Sequence, residues 1–452
     1  MARLTIGPSG PLHGRLRPPG DKSISVRAVL LSALADGPSR ADHWLPADDC
    51  LAAVECVRRL GVEVELSSAG ENRSTTLVVH GKGLHGLAEP TDILDCQGSG
   101  TTMRLIAGIL AGQPFYSVLT GNEQLCRRPM ARVAEPLRLM GATVLGRDDG
   151  RLPPLAICGG GLHGIDYTLP VASAQVKSAI LLAGLFADGS TTVREPAPTR
   201  DHTERMLGAA GVQLWDNRIG AGLKPARTPA PTLAPTPDAR SLNPLSLTVP
   251  GDFSSAAFFL VAACLVSGSE LVIEGVGVNP TRTGLLNVLA HMGAQVELEN
   301  RRESGGEPVA DLVVRPAGLW AVEVRGSLVP RMIDEFPIFA VAATQAEGET
   351  VVRDATELRV KESDRVAVVV GELRKMGAKI EERLDGFVVE GPTRLRGTRV
   401  DSHGDHRLAM ALAVAGLIAE GDTTVEGAEC VSKSFPGFEA CLHSLLRPGW
   451  SA

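Results

Sequence analysis

A glycine turn closing an alanine- and leucine-rich stretch recurs six times along this chain, and it limits the available folds more than any other feature. The copies lie at 32–37 (SALADG), 108–112 (GILAG), 184–189 (GLFADG), 264–268 (CLVSG), 343–348 (ATQAEG) and 416–421 (GLIAEG). Their final glycines fall roughly 75 to 80 positions apart. Each copy is followed by a short Thr/Val-rich pattern that reads as a strand, then by an amphipathic helix. In five copies that helix ends in a second glycine turn, at Gly61, Gly141, Gly211, Gly293 and Gly377. Glycine just past the last periodic residue marks a left-handed helix cap. The repeating unit is therefore helix, strand, helix, strand, often with a further strand, and a fixed period of this kind means one supersecondary unit copied.

The first helix of each unit is apolar all round, as over 180–186 and 258–266, so it must be buried, while the second carries a polar face and lies outside. One unit cannot bury such a helix alone. Three units around a shared bundle of buried helices can, which makes the fold α/β with two similar domains of three units each. Residues 21–248 form the N-terminal domain; residues 1–20 and 249–452 form the C-terminal one. The stretch from 223 to 250 is dense in proline (KPARTPAPTLAPTP) and reads as a polyproline-like surface loop, since proline excludes helix and internal strand.

Hydrophobic residues make up 44% of the chain but aromatics only 4%, so the core must be filled by Ala, Val, Leu and Ile. A formal net charge of −7 argues against nucleic-acid or anionic-membrane binding, which call for a basic surface. The eight cysteines are scattered, with no CxxC pair and no histidine at ligand spacing, so neither a zinc site nor a disulfide framework is indicated, and the protein reads as cytoplasmic. No stretch has the length of a membrane span or the pattern of a signal peptide.

Just ahead of each buried helix stand capping and small residues: Gly20-Asp21-Lys22-Ser23, Gly98-Ser99-Gly100-Thr101, Ala172-Ser173-Ala174-Gln175, Gly251-Asp252-Phe253-Ser254, Ile333-Asp334-Glu335-Phe336 and Gly404-Asp405-His406-Arg407. If the helices of a domain run parallel, their amino ends share one face, where free N–H groups and the helix dipoles attract anions. Lys22, Arg27, Arg104 and Arg407 lie at the same ends. Two such faces across a hinge would form an electropositive cleft in an acidic protein.

The heptad 359–365, Arg-Val-Lys-Glu-Ser-Asp-Arg, packs five charges behind a strand-like run. A helix beginning here would put Lys361 and Arg365 one turn apart; taken alone, the heptad is an ordinary solvated helix start. Ser23 and Arg27 are also one turn apart and could address one ligand together. Gly98-Ser99-Gly100 permits close backbone approach but lacks the Gly-Lys-Ser/Thr ending of a P-loop.

These words in this order resemble the 3-phosphoshikimate 1-carboxyvinyltransferase family of enolpyruvyl transferases, over essentially the whole chain. The matching stretches are Pro19-Gly20-Asp21-Lys22-Ser23-Ile24-Ser25, Gly100-Thr101-Thr102-Met103-Arg104, Arg128-Pro129, Ser173-Ala174-Gln175, Thr199-Arg200-Asp201-His202-Thr203-Glu204, Gly251-Asp252, the heptad, Asp405-His406-Arg407 and Lys433-Ser434-Phe435-Pro436. The resemblance implies two domains of three βαβαββ-type units around buried parallel helices, an inside-out α/β barrel with a hinge. It also implies transfer of the enolpyruvyl group of phosphoenolpyruvate to the 5-hydroxyl of shikimate 3-phosphate, with no metal and no organic cofactor.

By the same resemblance, shikimate 3-phosphate is held by Lys22, Ser23, Arg27, Ser173, Ala174, Gln175, Arg200, Asp334 and Lys361. Phosphoenolpyruvate is held by Lys22, Gly100, Arg128, Gln175, Arg365, Arg407 and Lys433. Lys22, Asp334 and Glu362 are the catalytic residues, and Asp364 is expected to orient a basic neighbour. Two departures stand out: Val26 where the family has histidine, and Gln97-Gly98 where it has Gly-Asn. Both are expected to alter affinity rather than abolish activity. Gly100 in place of alanine implies glyphosate as an inhibitor, and a monomer is expected. The rivals are a UDP-N-acetylglucosamine enolpyruvyl transferase, disfavoured because Glu123 stands where its loop cysteine would be, and a non-catalytic anion-binding relative.

Overall fold

The computed structural model describes residues 2–69, 74–216, 231–233 and 241–446. By its internal contacts the chain divides into two units, Gly20–Val249 with Glu303–Glu307, and Met1–Pro19 with Pro250–Arg302 and Pro308–Ala452. Each unit is built on three buried helices: Lys22–Ala33, Gly100–Ala111 and Ala174–Gly184 in the first, and Phe253–Leu265, Phe336–Thr344 and His406–Leu417 in the second. All six are buried on nearly every side, and the few charges they carry, such as Arg27, Arg104, Lys177 and Arg407, lie in their first two turns.

The repeated unit is visible in the sheets. Within each four-stranded sheet an edge strand runs parallel to its neighbour, and the remaining pairs for which a direction is defined run antiparallel. Leu94–Asp95, for example, pairs parallel with Tyr116–Thr120 across the Gly100–Ala111 helix, and Thr143–Gly146 and Leu152–Cys158 complete the sheet. That is βαβαββ. The first unit borrows its leading strand from far along the chain, since Ser246–Thr248 pairs parallel with Pro38–Trp44. The last copy takes its closing strand from the amino terminus, where Arg3–Ile6 pairs antiparallel with Thr423–Glu426. No sheet among the described residues closes on itself.

A strand that follows a helix directly through a tight turn needs left-handed backbone at that turn. The five second-turn glycines all have positive φ, from 83° at Gly61 to 111° at Gly141, the conformation that costs glycine nothing. Gly112 differs: it is right-handed at its helix end, and a Cβ there would lie 2.2 Å from the Phe186 ring. Glycine is required at that turn by space, not by φ.

The stretch from 223 to 250 departs from the loop reading twice, at the borrowed strand Ser246–Thr248 and at Pro231–Leu233. Pro231–Leu233 forms an internal strand, between Thr191–Arg194 and Leu214–Asp216. Proline is tolerated because it is the first residue of the strand, where no ladder hydrogen bond is lost; Thr232 and Leu233 carry the pairing with Thr192 and Thr191. Over 223–230 and 234–240 the loop reading lies outside the described residues.

In the first unit the buried helices touch through small residues. Gly108 backs onto the Ala174–Gly184 helix so closely that a Cβ would stand 2.2 Å from the Ala179 carbonyl oxygen. In the second unit the few aromatics are pooled, with Phe258, Phe259, Phe435 and Phe438 in mutual ring contact. Gly108→Ala should therefore destabilise the protein by about 1–3 kcal/mol through overpacking. Gly208→Ala, on an outer helix with nothing within 4 Å of the new Cβ, should be neutral or stabilising by up to about 1 kcal/mol. Thermal unfolding of the two variants checks this, and equal melting temperatures would contradict the close helix approach.

Candidate active site

Side-chain caps fix five of the six buried helix starts. Asp21 accepts from the Ile24 N–H, Ser99 from Thr102, Ser173 from Val176, Asp252 from Ser254 and Ser255, and Asp405 from Arg407. The sixth, after Asp334-Glu335, begins instead with Pro337 in its first turn, whose missing N–H costs nothing there. Because Asp21 is the cap, Ser23 is not, and its side chain is left for another role.

In the first unit the three helix starts lie together. Arg104, one turn into its helix, donates from Nη1 to Gln175 Oε1 at 2.8 Å, and Gln175 Nε2 donates to Thr101 Oγ1 at 2.9 Å. These bonds join the amino ends of neighbouring helices, so the helices run parallel. Gly100 opens the middle one. A Cβ at Gly100 would lie 2.7 Å from Arg104 Nη1 and 2.8 Å from Arg128 Nη1, so the bare Cα lets two guanidiniums converge on one helix N-terminus. A helix end with two cations is a built anion site. Lys22 joins the same unit's set, its ammonium 2.9 Å from Asp49 Oδ2.

Arg27 is buried, yet among the described residues its guanidinium meets no carboxylate. Nε donates to Thr203 Oγ1 at 2.7 Å, Nη1 to the Ser23 carbonyl at 2.9 Å and Nη2 to Ser178 Oγ at 3.0 Å. Burial pushes its pKa down to about 10, with Glu204 and Asp21 acting against the shift and Arg200 adding to it. A buried cation held only by neutral oxygens favours an arriving anion. Behind it Lys177 is fully buried, 2.9 Å from Glu195 and 2.7 Å from Glu204. Burial opposes its charge, but the two carboxylates outweigh burial and raise its pKa. Glu195 also accepts from the Thr199 hydroxyl, so this network fastens both ends of the 195–204 segment that carries Arg200.

In the second unit the organising group is Arg365. It is buried, and its nitrogens reach Asp405 Oδ2 at 2.8 Å, Asp334 Oδ1 at 3.1 Å and Glu362 Oε2 at 2.7 Å. Burial disfavours the cation, but Asp405, Glu362 and Asp334 outweigh it and hold the pKa well above the ordinary arginine value. Arg407 Nε lies 3.5 Å from Asp334 Oδ1, and Lys433 Nζ donates to the Gly404 carbonyl at 3.1 Å, ahead of the same helix. Arg282, buried beneath, meets Asp252 and Ser254, each at 2.8 Å.

The heptad is not the helix start its spacing suggested. Thr356–Val360 is a 3₁₀ turn and the α-helix begins only at Arg365. Asp364 is its cap, accepting from the Ala367 N–H, and its other oxygen pairs with Arg359 at 2.8 Å. Lys361 and Glu362 therefore sit on an extended link ahead of the helix, half-buried, and not one helical turn before Arg365. Asp364 orients a basic neighbour, as expected.

The two departures have different fates. Val26 is packed in the core of the first unit, and Arg27 beside it donates its hydrogen bonds to Thr203, Ser178 and the Ser23 carbonyl. At Gly98 a Cβ would stand 3.2 Å from Asn122 Nδ2; a side-chain amide thus occupies the neighbourhood the glycine vacates. Thr203, Ser178 and Arg282 were not singled out from sequence. Thr203 lay inside a quoted word, but only the fold shows which hydroxyl faces Arg27. Glu63, Glu65 and His80 come within metal-ligand reach of one another, a grouping the sequence did not suggest; His80 Nε2 meets Glu65 Oε1 at 2.8 Å. Among the described residues no helix is long and apolar enough to cross a membrane.

The family profile of EPSP synthase (3-phosphoshikimate 1-carboxyvinyltransferase) matches residues 6–442. The chain is 54% identical over 442 residues to the 3-phosphoshikimate 1-carboxyvinyltransferase of Desulforudis audaxviator, covering 98% of this chain and 99% of that protein. It is also 54% identical over 446 residues to that of Pelotomaculum thermopropionicum, with 98% and 99% covered. Among solved structures it is similar to EPSP synthase from Acinetobacter baumannii, with a TM-score of 0.83, 42% identity and 98% of both chains covered.

Replacing Lys177 by methionine leaves Glu195 and Glu204 buried without their cation, and should cost about 3–5 kcal/mol. The sign of the linkage follows from the raised lysine pKa. The ionic contribution is fully present below the unfolded value of about 10.4 and is lost only as pH rises through the folded one. Chemical denaturation at pH 7 and pH 9 should therefore give the same gap between parent and variant, and a gap already closing at pH 9 would refute the ion pair.

Proposed function

The chain belongs to the EPSP synthase (3-phosphoshikimate 1-carboxyvinyltransferase) family, and from that premise we propose that it joins shikimate 3-phosphate to phosphoenolpyruvate with release of phosphate. The 5-hydroxyl adds to C2 of phosphoenolpyruvate while C3 takes a proton, giving a tetrahedral phosphoketal. Phosphate then leaves C2 as C3 gives a proton back, restoring the enol ether. A positive-going C2 between two phosphates and two carboxylates needs cations for the ground state and a carboxylate near C3 for the proton.

The observation that carries this reading is Arg365 with Glu362 and Asp334 on two of its nitrogens. A guanidinium that pairs with two carboxylates holds both in fixed orientation. Glu362 serves proton transfer at C3, Asp334 stands by the 5-hydroxyl, and Lys22 clamps phosphate and acts as an acid. Shikimate 3-phosphate is assigned to Lys22, Ser23, Arg27, Ser173, Ala174, Gln175, Arg200, Asp334 and Lys361. Phosphoenolpyruvate is assigned to Lys22, Gly100, Arg128, Gln175, Arg365, Arg407 and Lys433. The helix end and paired guanidiniums at Gly100 support the second assignment, and the buried Arg27 supports the first. A cytoplasmic, monomeric enzyme goes with this reading.

Phosphate release from the two substrates tests it. Glu362→Gln keeps the size of the side chain but removes its proton-accepting charge, and should lower kcat by about 10²–10⁴-fold, the usual worth of a general acid–base group. An unchanged rate would remove Glu362 from the mechanism. A parent protein that binds both substrates and releases no phosphate would be the non-catalytic relative.

At Gly100 the bare Cα brings the Arg104 and Arg128 guanidiniums against one helix N-terminus, a setting that suits a small anionic competitor. Glyphosate is accordingly expected to inhibit in competition with phosphoenolpyruvate. Full activity at high glyphosate would sink that expectation.

A further inference from the structure

We propose that Thr203 and Ser178 form a directed hydroxyl chain that positions Arg27 for the acceptor substrate; the proposal rests on the reaction assigned above. Ser178 Oγ donates to the Ala174 carbonyl at 2.7 Å. Its single proton is thereby committed, so at the 2.7 Å contact between Ser178 Oγ and Thr203 Oγ1 the threonine is the donor. Both hydroxyl protons point away from Arg27, and the lone pairs they leave receive Arg27 Nη2 at 3.0 Å and Nε at 2.7 Å. The order is Thr203 to Ser178 to the Ala174 carbonyl, with Arg27 donating into it twice.

Three consequences follow. The chain fixes the roll and the plane of the guanidinium, because Nε and Nη2 are held by different oxygens while Nη1 is turned back to Ser23 in the same helix. It compensates a fully buried cation without neutralising it, since hydroxyls carry no charge; a carboxylate in either place would satisfy Arg27 internally and weaken its hold on an anion. It also ties Arg27 to the backbone of Ala174, so residues assigned to one substrate on two helices share one hydrogen-bonded frame. Ser178 and Thr203 are both buried with their hydroxyls committed to partners within the chain, so both act as positioning residues.

Thr203→Val keeps the shape and removes the chain's origin. It leaves Arg27 Nε without its acceptor and frees Ser178 from its donor. A hydrogen bond to a charged group of this strength corresponds to roughly a ten- to hundredfold effect. The expected result is a KM for shikimate 3-phosphate, and a Kd measured by calorimetry, raised by about that factor. The KM for phosphoenolpyruvate and the kcat should change by less than about threefold. Thr203→Ser, which restores the hydroxyl, should recover the parent Kd.

A merely structural role predicts something else: both KM values rise together with a lower melting temperature, and serine recovers nothing. That result overturns the proposal, as does an unchanged Kd in Thr203→Val. If the parent protein itself binds no shikimate 3-phosphate, the assigned reaction falls and the proposal falls with it. Parent binding with an unaffected Thr203→Val removes the hydroxyl chain alone.

Discussion

A helix that is apolar on every side cannot be an outer element of a water-soluble protein, and everything else in each unit depends on covering three of them. The Phe253–Leu265 helix is buried almost throughout, so no polar residue along it could satisfy a capping or anion-binding role. Polar function is thereby confined to the helix ends. Parallel packing then brings three amino ends together, and the cost of burying their unpaired N–H groups is met by Asp, Ser and proline in the first turns. An anion-seeking face is a by-product of the packing solution rather than an addition to it. The chemistry begins where the packing runs out of apolar surface.

How legible this was depends on which physical demand each residue answers. Left-handed glycines at helix ends answer a demand of the backbone alone, so the five second turns could be read directly. The sixth copy lacks that turn because its place is taken by the Phe438–Leu445 helix and by a strand from the amino terminus, a long-range pairing that no local pattern encodes. The borrowed strand Ser246–Thr248 was hidden for the same reason. Pro231–Leu233 was missed because proline was taken to exclude an internal strand, whereas at the first residue of a strand it excludes nothing.

The candidate site divides along similar lines. Charged residues at helix starts were legible, since their type and place in the repeat both pointed to anions. Their partners were not. The spacing of Lys361 and Arg365 suggested one helix face, but Asp364 competes for the role of cap, and a capping carboxylate outweighs a marginal surface pair. The hydroxyls around Arg27 lie on two helices separated in sequence, and serine and threonine are too common to be singled out without coordinates. Val26 stands beside Arg27 in sequence and packs in the core of the first unit.

Arg27 and Arg365 are both buried guanidiniums, and the contrast between their surroundings separates binding from chemistry. Arg365 is surrounded by three carboxylates, so truncating it would strand buried anions. Its value lies in what it does to its partners, which it holds aimed. Arg27 meets only hydroxyls and a carbonyl, so it has satisfied geometry and unsatisfied charge. A phosphate or carboxylate arriving there gains what no internal partner supplies. The first arrangement is suited to moving protons at fixed carboxylates and the second to recognising an anion, and one sequence supplies both by choosing what stands opposite each arginine. Exchanging those neighbours, carboxylate for hydroxyl, would exchange the roles, because burial fixes the cost of each charge and only the partner decides where that cost is recovered.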